Sequence, residues 1–447
     1  MLKPYGEYRD FDELWLTTVP THWEERKLKY LFSERVEKGY PNEPLLVASQ
    51  NMGVVPKNVY GNRTVEATKD LHLLKLVKNE DFVISLRSFQ GGIEYAYYRG
   101  IISPAYTVMT SLGDITPGYF RFFAKSKLFI ELLKLCVTGI REGQNIDYSK
   151  LRNHILPIPP RDEQDQIVRY LDWKVSQINK LINAKKKQIA LLQEQKQAII
   201  NQAVTKGLNP NVELKDSGID YIDLIPKHWK VLQNRRLYKE NARAFSGDEA
   251  VLSLSQKDGL ILYENMKERS LHTASYVNWK LVHPNDLVLN RFKAHLGVFF
   301  SSTYRGIVTF HYGVFEPKIS LNSKYYEALY HTPIYRNVYA GRSNGMTVGL
   351  QNLSNTNFYG VYTVFPPHNE QDEIVEEIEK IETQTTGLKS KFEDEVALLH
   401  EYRTRLISDV VTGQIDVRDV EIPEYEAAEE IIEDNDLSDD EILETEE

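Results

Sequence analysis

Apolar residues recur down one face between positions 168 and 203: Val168, Leu171, Val175, Ile178, Ile182, Ile189, Leu192, Ile199 and Ala203, with Lys185 and Lys196 completing alternating steps of three and four. Such spacing draws a single seam along a helix and predicts a coiled coil. A second stretch carries the same seam from Phe392 through Val396, Leu399, Leu406 and Val410, whereas Ile374, Ile378, Ile381, Thr385 and Leu388 drift around the face. The first half of that helix is therefore expected to pack on something besides its twin. Both stretches begin alike, with Pro159-Pro160-Arg161-Asp162-Glu163-Gln164 and Pro366-Pro367-His368-Asn369-Glu370-Gln371. A proline pair suits only a helix start, Asp162 and Asn369 are candidate N-caps, and Glu163 and Glu370 suit the positive end of the helix dipole. Both stop at glycine, Gly207 and Gly413, a common C-terminal signal. Helices are predicted over 163–205 and 370–412, each roughly 65 Å long. Charges on their other faces (Lys185-Lys186-Lys187, Glu393-Asp394-Glu395) favour a solvated two-helix rod over a buried core helix.

The duplication extends beyond the helices. Val19-Pro20-Thr21-His22-Trp23 recurs as Ile225-Pro226-Lys227-His228-Trp229, Ser49-Gln50-Asn51-Met52-Gly53 as Ser255-Gln256-Lys257-Asp258-Gly259, and Arg99-Gly100-Ile101 as Arg305-Gly306-Ile307. All lie in one register, which makes the chain a tandem repeat. Each repeat reads as a mixed α+β globular domain followed by one long helix, giving domains over 1–158 and 208–365, helices within 159–207 and 366–413, and a tail over 414–447. Within the domains, strands are expected at 81–86 and 286–290 and amphipathic helices at 119–135 and 325–339.

Charge changes the picture of the tail. From Ile415 to Glu447 there are 16 acidic residues and one basic, so this segment carries −15 of a chain whose net charge is −10, leaving +5 for residues 1–414. A run of this kind is expected to be a disordered, solvating tail; competition with DNA for the basic body is the sharper alternative. The body's mild positive charge permits a polyanionic partner. A single cysteine, Cys136, allows no intrachain disulfide, no apolar run approaches a membrane span, and the chain is expected to be cytoplasmic.

Two equivalent units joined through their helices have two ways to pair. A parallel pair would require residues 206–225 to retrace a whole helix, and those 20 residues reach about 68 Å at full stretch, with no slack. Antiparallel pairing is therefore expected. Two similar but non-identical domains related by an approximate twofold suit the reading of two different DNA half-sites, since equivalent groove faces recur every 10 to 10.5 base pairs or so.

Pro157-Ile158-Pro159-Pro160-Arg161-Asp162-Glu163-Gln164, followed by Ile167, Leu171-Asp172 and Ala203-Val204-Thr205-Lys206-Gly207-Leu208, closely resembles the conserved region of type I restriction–modification specificity subunits. The openings Tyr8-Arg9-Asp10 to Pro20-Thr21-His22-Trp23 and Lys215-Asp216-Ser217-Gly218-Ile219 to Pro226-Lys227-His228-Trp229 look like that family's domain starts; the second copy departs at 219–224. The resemblance implies two target recognition domains, each reading half of a gapped asymmetric sequence in double-stranded DNA. It implies that the helices set the gap and dock two methyltransferase subunits, with translocase/endonuclease subunits joining for restriction. The chain itself would catalyse nothing and bind no cofactor, its partners using S-adenosylmethionine, ATP and Mg. A coiled-coil scaffold that reads no DNA is the alternative.

The motifs agree with a non-catalytic chain: no P-loop, GxGxxG, metal-ligand spacing or amino-methyltransferase signature occurs. Gly341-Arg342-Ser343-Asn344-Gly345 fits a hydrolase elbow, but the first repeat has no serine there; Asp286 with Glu316-Pro317-Lys318 resembles a nuclease cluster, but the first repeat has Thr110 and Leu112 at the last two charged positions. Candidates for DNA contact follow the repeated strand: Arg87, Ser88 and Gln90, then Arg291, Lys293 and His295. Arg141, Gln144, Arg342 and Asn344 lie in glycine-flanked loops, and Arg99 and Arg305 are candidate phosphate contacts. The plainer reading of each is a surface residue paired to a nearby acid. The 27 tyrosines offer stacking on an extruded base, but core packing explains most of them more simply.

Overall fold

The computed structural model describes residues 3–60, 70–86, 88–139, 145–241, 243, 247, 249–256, 258–266, 276, 278–344 and 352–426. The chain divides into two compact units, Met1–Gln188 with Lys391–Glu447, and Ile189–Ser390. Each unit thus takes the N-terminal part of one long helix and the C-terminal part of the other. The helices run Arg161–Lys206 and His368–Val411.

Both units are built to one plan. The first centres on an antiparallel sheet in the order Phe32–Arg35, Thr107–Ser111, Phe82–Ile84, Glu94–Tyr95. The second repeats it as Tyr238–Glu240, Tyr312–Pro317, Leu287–Asn290, Phe299–Ser301. Around each sheet stand matching pairs: an opening hairpin (Tyr8–Glu13 with Leu16–Pro20; Leu214–Ile219 with Ile222–Pro226) and a closing pair (Glu24–Lys27 with Ile155–Ile158; Lys230–Gln233 with Tyr362–Phe365). The middle strands 82–84 and 287–289 are wholly buried, which is why they read as unbroken apolar runs rather than alternating ones.

The expected amphipathic helices are each two helices. Pro117–Phe123 and Lys127–Leu135 are separated by Ser126, whose hydroxyl accepts from Phe129 N. Ser323–Tyr330 and Pro333–Arg342 are separated at Thr332, which likewise caps the second helix from the residue before its proline. A Ser or Thr competing for backbone N–H groups ends one helix and starts the next.

The helix starts correct another expectation. Asp162 and Asn369 lie inside the first turn, and the carbonyls of Pro160 and Pro367 receive the first N–H bonds. The conserved-looking Glu-Gln pair does a different job from capping. Trp23 Nε1 donates to Glu163 Oε1 at 2.9 Å, His22 Nε2 meets Oε2 at 2.7 Å, and the Tyr5 hydroxyl also donates to this carboxylate. In the second unit Trp229 Nε1 donates to Glu370 Oε2 at 2.8 Å, with His228 Nε2 on Oε1. Gln164 accepts from Thr116 N and donates to Pro159 O; Gln371 accepts from Asn322 N and donates to Pro366 O. The glutamate therefore holds the opening hairpin, and the glutamine holds the loop ahead of the Pro117 or Ser323 helix.

The partner helix ends at the same place. In the first unit Tyr119 donates its hydroxyl to Val411 O at 2.7 Å, and in the second Tyr325 donates to Val204 O at 2.7 Å. Gly413 and Gly207 follow at φ +75° and +78°, against Pro20 and Trp23 and against Trp229 respectively. A Cβ on Gly413 would stand 2.5 Å from Pro20 Cδ, so both the dihedral and the space demand glycine.

Antiparallel pairing of the helices is visible inside each unit. In the first, Arg403 donates to Asn179 Oδ1 at 3.0 Å and Lys185 Nζ lies 2.6 Å from Glu395, so one number rises as the other falls. In the second, Lys196 meets Glu382, while Ile200, Ala203 and Val204 share a core with Ile374, Val375 and Ile378. That core also holds Tyr325, Tyr326, Tyr330 and Tyr335, which accounts for the drifting pattern at 374–388: the helix start serves a domain core. Val168, Leu171, Val175, Ile178, Ile182, Ile189, Leu192, Phe392, Val396, Leu399 and Leu406 are buried or half-buried as the seam requires. Ile199 is not: it is 40 % exposed, and Ile200 at 7 % takes the inward place because the step after Lys196 is four rather than three. Leu388 is also exposed, with Thr385 inward.

The segment expected to be a disordered tail from 414 is folded at its start. Residues 415–422 pack on the first unit, Val417 is fully buried, Asp416 N donates to Lys3 O at 2.8 Å, and Gln166 Nε2 donates to the carbonyls of Val417 and Val420. Its apolar residues at 415, 417, 420 and 422 supply the burial that the negative charge concealed. Residues 427–447 lie outside the described residues.

One exchange between the units has a pH consequence. Lys125 Nζ meets both Glu94 oxygens at 2.7 Å, and the repeat replaces this ion pair with His331 packed edge-on against Phe300 at 5.1 Å. Burial, helped by nearby Arg336, pushes the His331 imidazole down to about 4. The unfolded imidazole takes a proton near its ordinary 6.5, so the stabilisation is complete above that pH and is lost as pH falls toward about 4. Urea titrations from pH 7 to 5 should show stability falling by at most about 1.4 kcal/mol per pH unit, a slope that His331→Phe flattens.

The two glutamate clamps give a second expectation. Glu163→Ala strands the two buried donors of Tyr5 and Trp23 as well as exposed His22 and should cost about 2–4 kcal/mol, whereas Glu370, whose side chain is 29 % exposed against 5 % for Glu163, should cost less on the same change. Equal losses in urea unfolding would contradict this reading of the clamps.

Candidate nucleic-acid interface

The strand Leu287–Asn290 runs directly into a 3-10 turn, Arg291–Leu296, because the Asn290 side chain accepts from Phe292 N at 3.1 Å. Gly297 at φ +77° returns the chain to the sheet. The first unit makes the corresponding turn at Ser88–Gly91, with Gly92 at φ +89°. The helix Pro333–Arg342 lies against the Arg291–Leu296 turn. Leu353 N donates to Arg291 O, Asn344 and Asn352 exchange two backbone bonds at 3.0 and 2.8 Å, and Asn357 Nδ2 donates to Arg342 O. Arg291, Lys293, His295, Arg342 and Asn344, scattered over some fifty positions, are thereby gathered at neighbouring turns of the second unit.

Not all of them are available. Arg291 is a structural cation: its guanidinium bonds Glu240 at 2.8 Å, and Glu240 also receives Lys280 and Asn355. Ser88 is fully buried, its Oγ accepting from Ser85 N at 2.9 Å, so it shapes the turn instead of reaching outward. Arg99 is tied to Glu43 at 2.8 Å and lies over the Tyr40 ring, and Arg305 sits 3.6 Å from Glu249. These last two are turn residues ahead of the strands Gly100–Ile102 and Gly306–Val308 and do not join the cluster. His295 is half-buried. Gln90, Lys293, Arg342 and Asn344 are exposed. Arg87, Arg141 and Gln144 lie outside the described residues.

Sequence reasoning missed the aromatic part of this surface. Phe292 is 44 % and Phe310 52 % exposed, and the exposed His311 ring lies 6.1 Å from Phe292 and 3.9 Å from Phe310. Phe292 stands beside Lys293 in the Arg291–Leu296 turn, whereas Phe310 and His311 come from the turn Thr309–Tyr312, closed by Tyr312 N donating to Thr309 O. The matching turn of the first unit, closed by Tyr106 N on Ser103 O, carries Pro104 and Ala105. Two adjacent large rings in a turn, where small or polar residues are usual, was the available signal. By contrast, Tyr238, Tyr325, Tyr326, Tyr330, Tyr335 and Tyr339 form a buried aromatic core.

The catalytic look-alikes are absorbed by structure. Asp286 and Glu316 both bind Arg243, Glu316 is held below the usual carboxylate range by Lys239 and Arg243, and Lys318 Nζ donates to Arg235 O. Ser343 Oγ donates to Tyr339 O at the end of its helix, and Gly345 lies outside the described residues. Among the described residues no helix is long and apolar enough to cross a membrane.

Residues 20–191 match the family model of the type I restriction modification DNA specificity domain. The chain is 25 % identical over 270 residues to a putative type I restriction enzyme MjaX specificity subunit of Methanocaldococcus jannaschii, covering 54 % of this chain and 58 % of the relative. It is 27 % identical over 160 residues to the type I restriction enzyme MjaVIII specificity subunit of the same organism, covering 35 % of each. Both matches thus span less than two thirds of the relatives' length. In fold, the chain resembles a solved chain from work on complex assembly and conformational transition of the type I R-M system, with TM-score 0.61, 13 % identity, and coverage of 89 % of this chain and 99 % of that one. In its repeated mixed domains and paired long helices, as in residues 20–191, the chain is similar to the type I restriction–modification specificity subunits.

Proposed function

We propose that this chain is the sequence-reading subunit of a type I restriction–modification complex, each unit reading one half of a gapped, asymmetric DNA site. The observation that carries this is the contrast inside one chain: the Glu-Gln and His-Trp bonds of the frame repeat at the helix ends, while the exposed turns differ. A shared frame suits a repeated partner, and different turns suit different bases. Phosphate contacts fix register and base-edge contacts supply sequence; Lys293, Arg342 and Asn344 supply donors for both, and the Phe292, His311 and Phe310 rings supply apolar contact or stacking. The long helices set the gap and dock two methyltransferase subunits, which bind S-adenosylmethionine and methylate adenine, and translocase/endonuclease subunits using ATP and Mg join for restriction. This chain performs no chemistry.

Mapping of methylated adenines in cells that express the chain with its methyltransferase, against cells lacking only this chain, should reveal a gapped two-part motif that disappears with it. An unchanged pattern, with the two proteins shown to bind each other, would refute the reading. Adding one four-residue turn to each long helix adds about 6 Å, close to two base pairs, and should lengthen the gap while preserving both half-sites. On purified complex, Lys293→Ala should weaken binding only through the half-site of the second unit, leaving the melting temperature unchanged, and lower the salt slope by about one if it grips a phosphate. Arg291→Ala should instead lower the melting temperature, because it leaves Glu240 short of a partner.

A further inference from the structure

The exposed rings of the second unit have no counterpart at the matching turns of the first. Phe310 and His311 are the two central residues of the turn Thr309–Tyr312, their ring centroids 3.9 Å apart, and Phe292 reaches the same place from the Arg291–Leu296 turn, 6.1 Å from His311. The first unit has Pro104 and Ala105 at the one turn, and at the other a single ring, Phe89, that packs on its core. Three clustered rings facing water on a folded domain are apolar area for a partner to cover.

The charge around them selects that partner. Residues 287–315 and 328–369, which supply these turns and the helix Pro333–Arg342, contain no aspartate or glutamate, but they contain Arg291, Lys293, Arg305, Arg336 and Arg342. The matching stretches of the first unit carry Glu94, Glu131, Glu142, Asp147 and Asp162. Glu240, the carboxylate that reaches the second unit's turn, is held by Arg291 and Lys280. Lys293 and Arg342 are exposed and make no ion pair among the described residues. Rings beside free cations suit a polyanion whose interior offers flat apolar faces, as a base-paired duplex does. A phenyl ring gives a base edge no hydrogen bond. In a duplex it can touch a thymine methyl group, or it can lie against base faces where a step is opened. One aromatic side chain has roughly 150–250 Å² to bury, more than a methyl group covers. The Phe310 ring is also over half exposed, on a turn pinned between the strands Gly306–Val308 and Tyr312–Pro317.

We propose that Phe310 enters a base step of the half-site read by the second unit and partly unstacks it, while Lys293 and Arg342 hold nearby phosphates. The first unit, with Pro104 and Ala105 at that turn, leaves its half-site stacked. This rests on the DNA reading proposed above and adds that one half-site is recognised partly through its ease of distortion.

The probe is a duplex carrying the mapped motif, with 2-aminopurine, which brightens when unstacked, placed in turn at positions other than the methylated adenines. It is titrated with the purified complex of this chain and its methyltransferase. A brightening of about threefold is expected at one step of one half-site and nowhere in the other, as a wedge opens the stack. Phe310→Ala should remove it and weaken binding roughly tenfold, whereas Phe310→Leu, still an apolar wedge, should keep most of it. Both variants should melt at the temperature of the parent, because the ring is exposed. Binding without brightening, or brightening that persists in Phe310→Ala, would overturn the proposal. So would a loss of affinity, without brightening, when deoxyuridine replaces the thymidines of that half-site, since the rings would then be meeting methyl groups in the groove. Release of the methyltransferase by Phe310→Ala would also overturn it, because the rings would then face a protein. A mapped motif whose half-sites stay stacked leaves the sequence-reading function standing, whereas a complex that binds no motif would refute both.

Discussion

A carboxylate at the N-terminus of a long helix, gripped by the indole N–H and imidazole of a His-Trp pair, is the interaction on which each unit depends. It does three things at one point. It places the negative charge where the helix dipole favours it, it satisfies a buried indole donor, and it ties a hairpin to a helix that begins some 140 residues later. The neighbouring glutamine fixes a second loop, and a tyrosine hydroxyl brings in the end of the other helix. Four separate segments therefore meet in each unit, and the demand for glycine just past the helix end follows from the closeness of that meeting.

This junction explains how the same chain can be rigid in one respect and variable in another. Hydrogen bonds between buried groups tolerate little change, because a stranded donor costs about 1–3 kcal/mol. The turns farther along the sheet carry no such demand. There a Ser-Pro-Ala turn can stand in one unit and a Phe-His turn in the other without disturbing the strands that bear them. Even beneath the surface the copies have diverged where the geometry allows, as in the exchange of the Lys125–Glu94 ion pair for His331 on Phe300. A buried ion pair and an apolar pair are alternatives of comparable worth, so the sheet survives either.

The cost of the duplicated plan falls at the chain ends. In the second unit, the peptide after Gly207 passes directly into the opening hairpin. In the first, the corresponding connection is split between the N-terminus and the segment after Gly413, and Asp416 on Lys3 restores it. The C-terminal segment then turns at Val417–Val420 and packs on the start of the first long helix, where Gln166 holds both carbonyls.

The long helices, their antiparallel sense, the tandem repeat and the buried central strands were all legible in the sequence, because each rests on a periodic or local signal: a 3-4 seam, a proline start, a glycine stop, an unbroken apolar run. The sequence also marked the Glu-Gln pair and the His-Trp pair as repeated, but showed neither that they touch nor that the glutamate is a clamp. Contacts between residues some 140 positions apart leave no local pattern. For the same reason Arg291 looked like a base reader until its distance to Glu240 made it structural, and Ser88 looked exposed until its hydroxyl closed a turn. Net charge hid the apolar residues that seat 415–422, since burial depends on which side chains meet the core and not on composition. What the sequence alone determined was the elements and their repetition; which side chains remain free to meet another molecule was decided only by tertiary packing, where a charged group either finds an internal partner or is left at the surface.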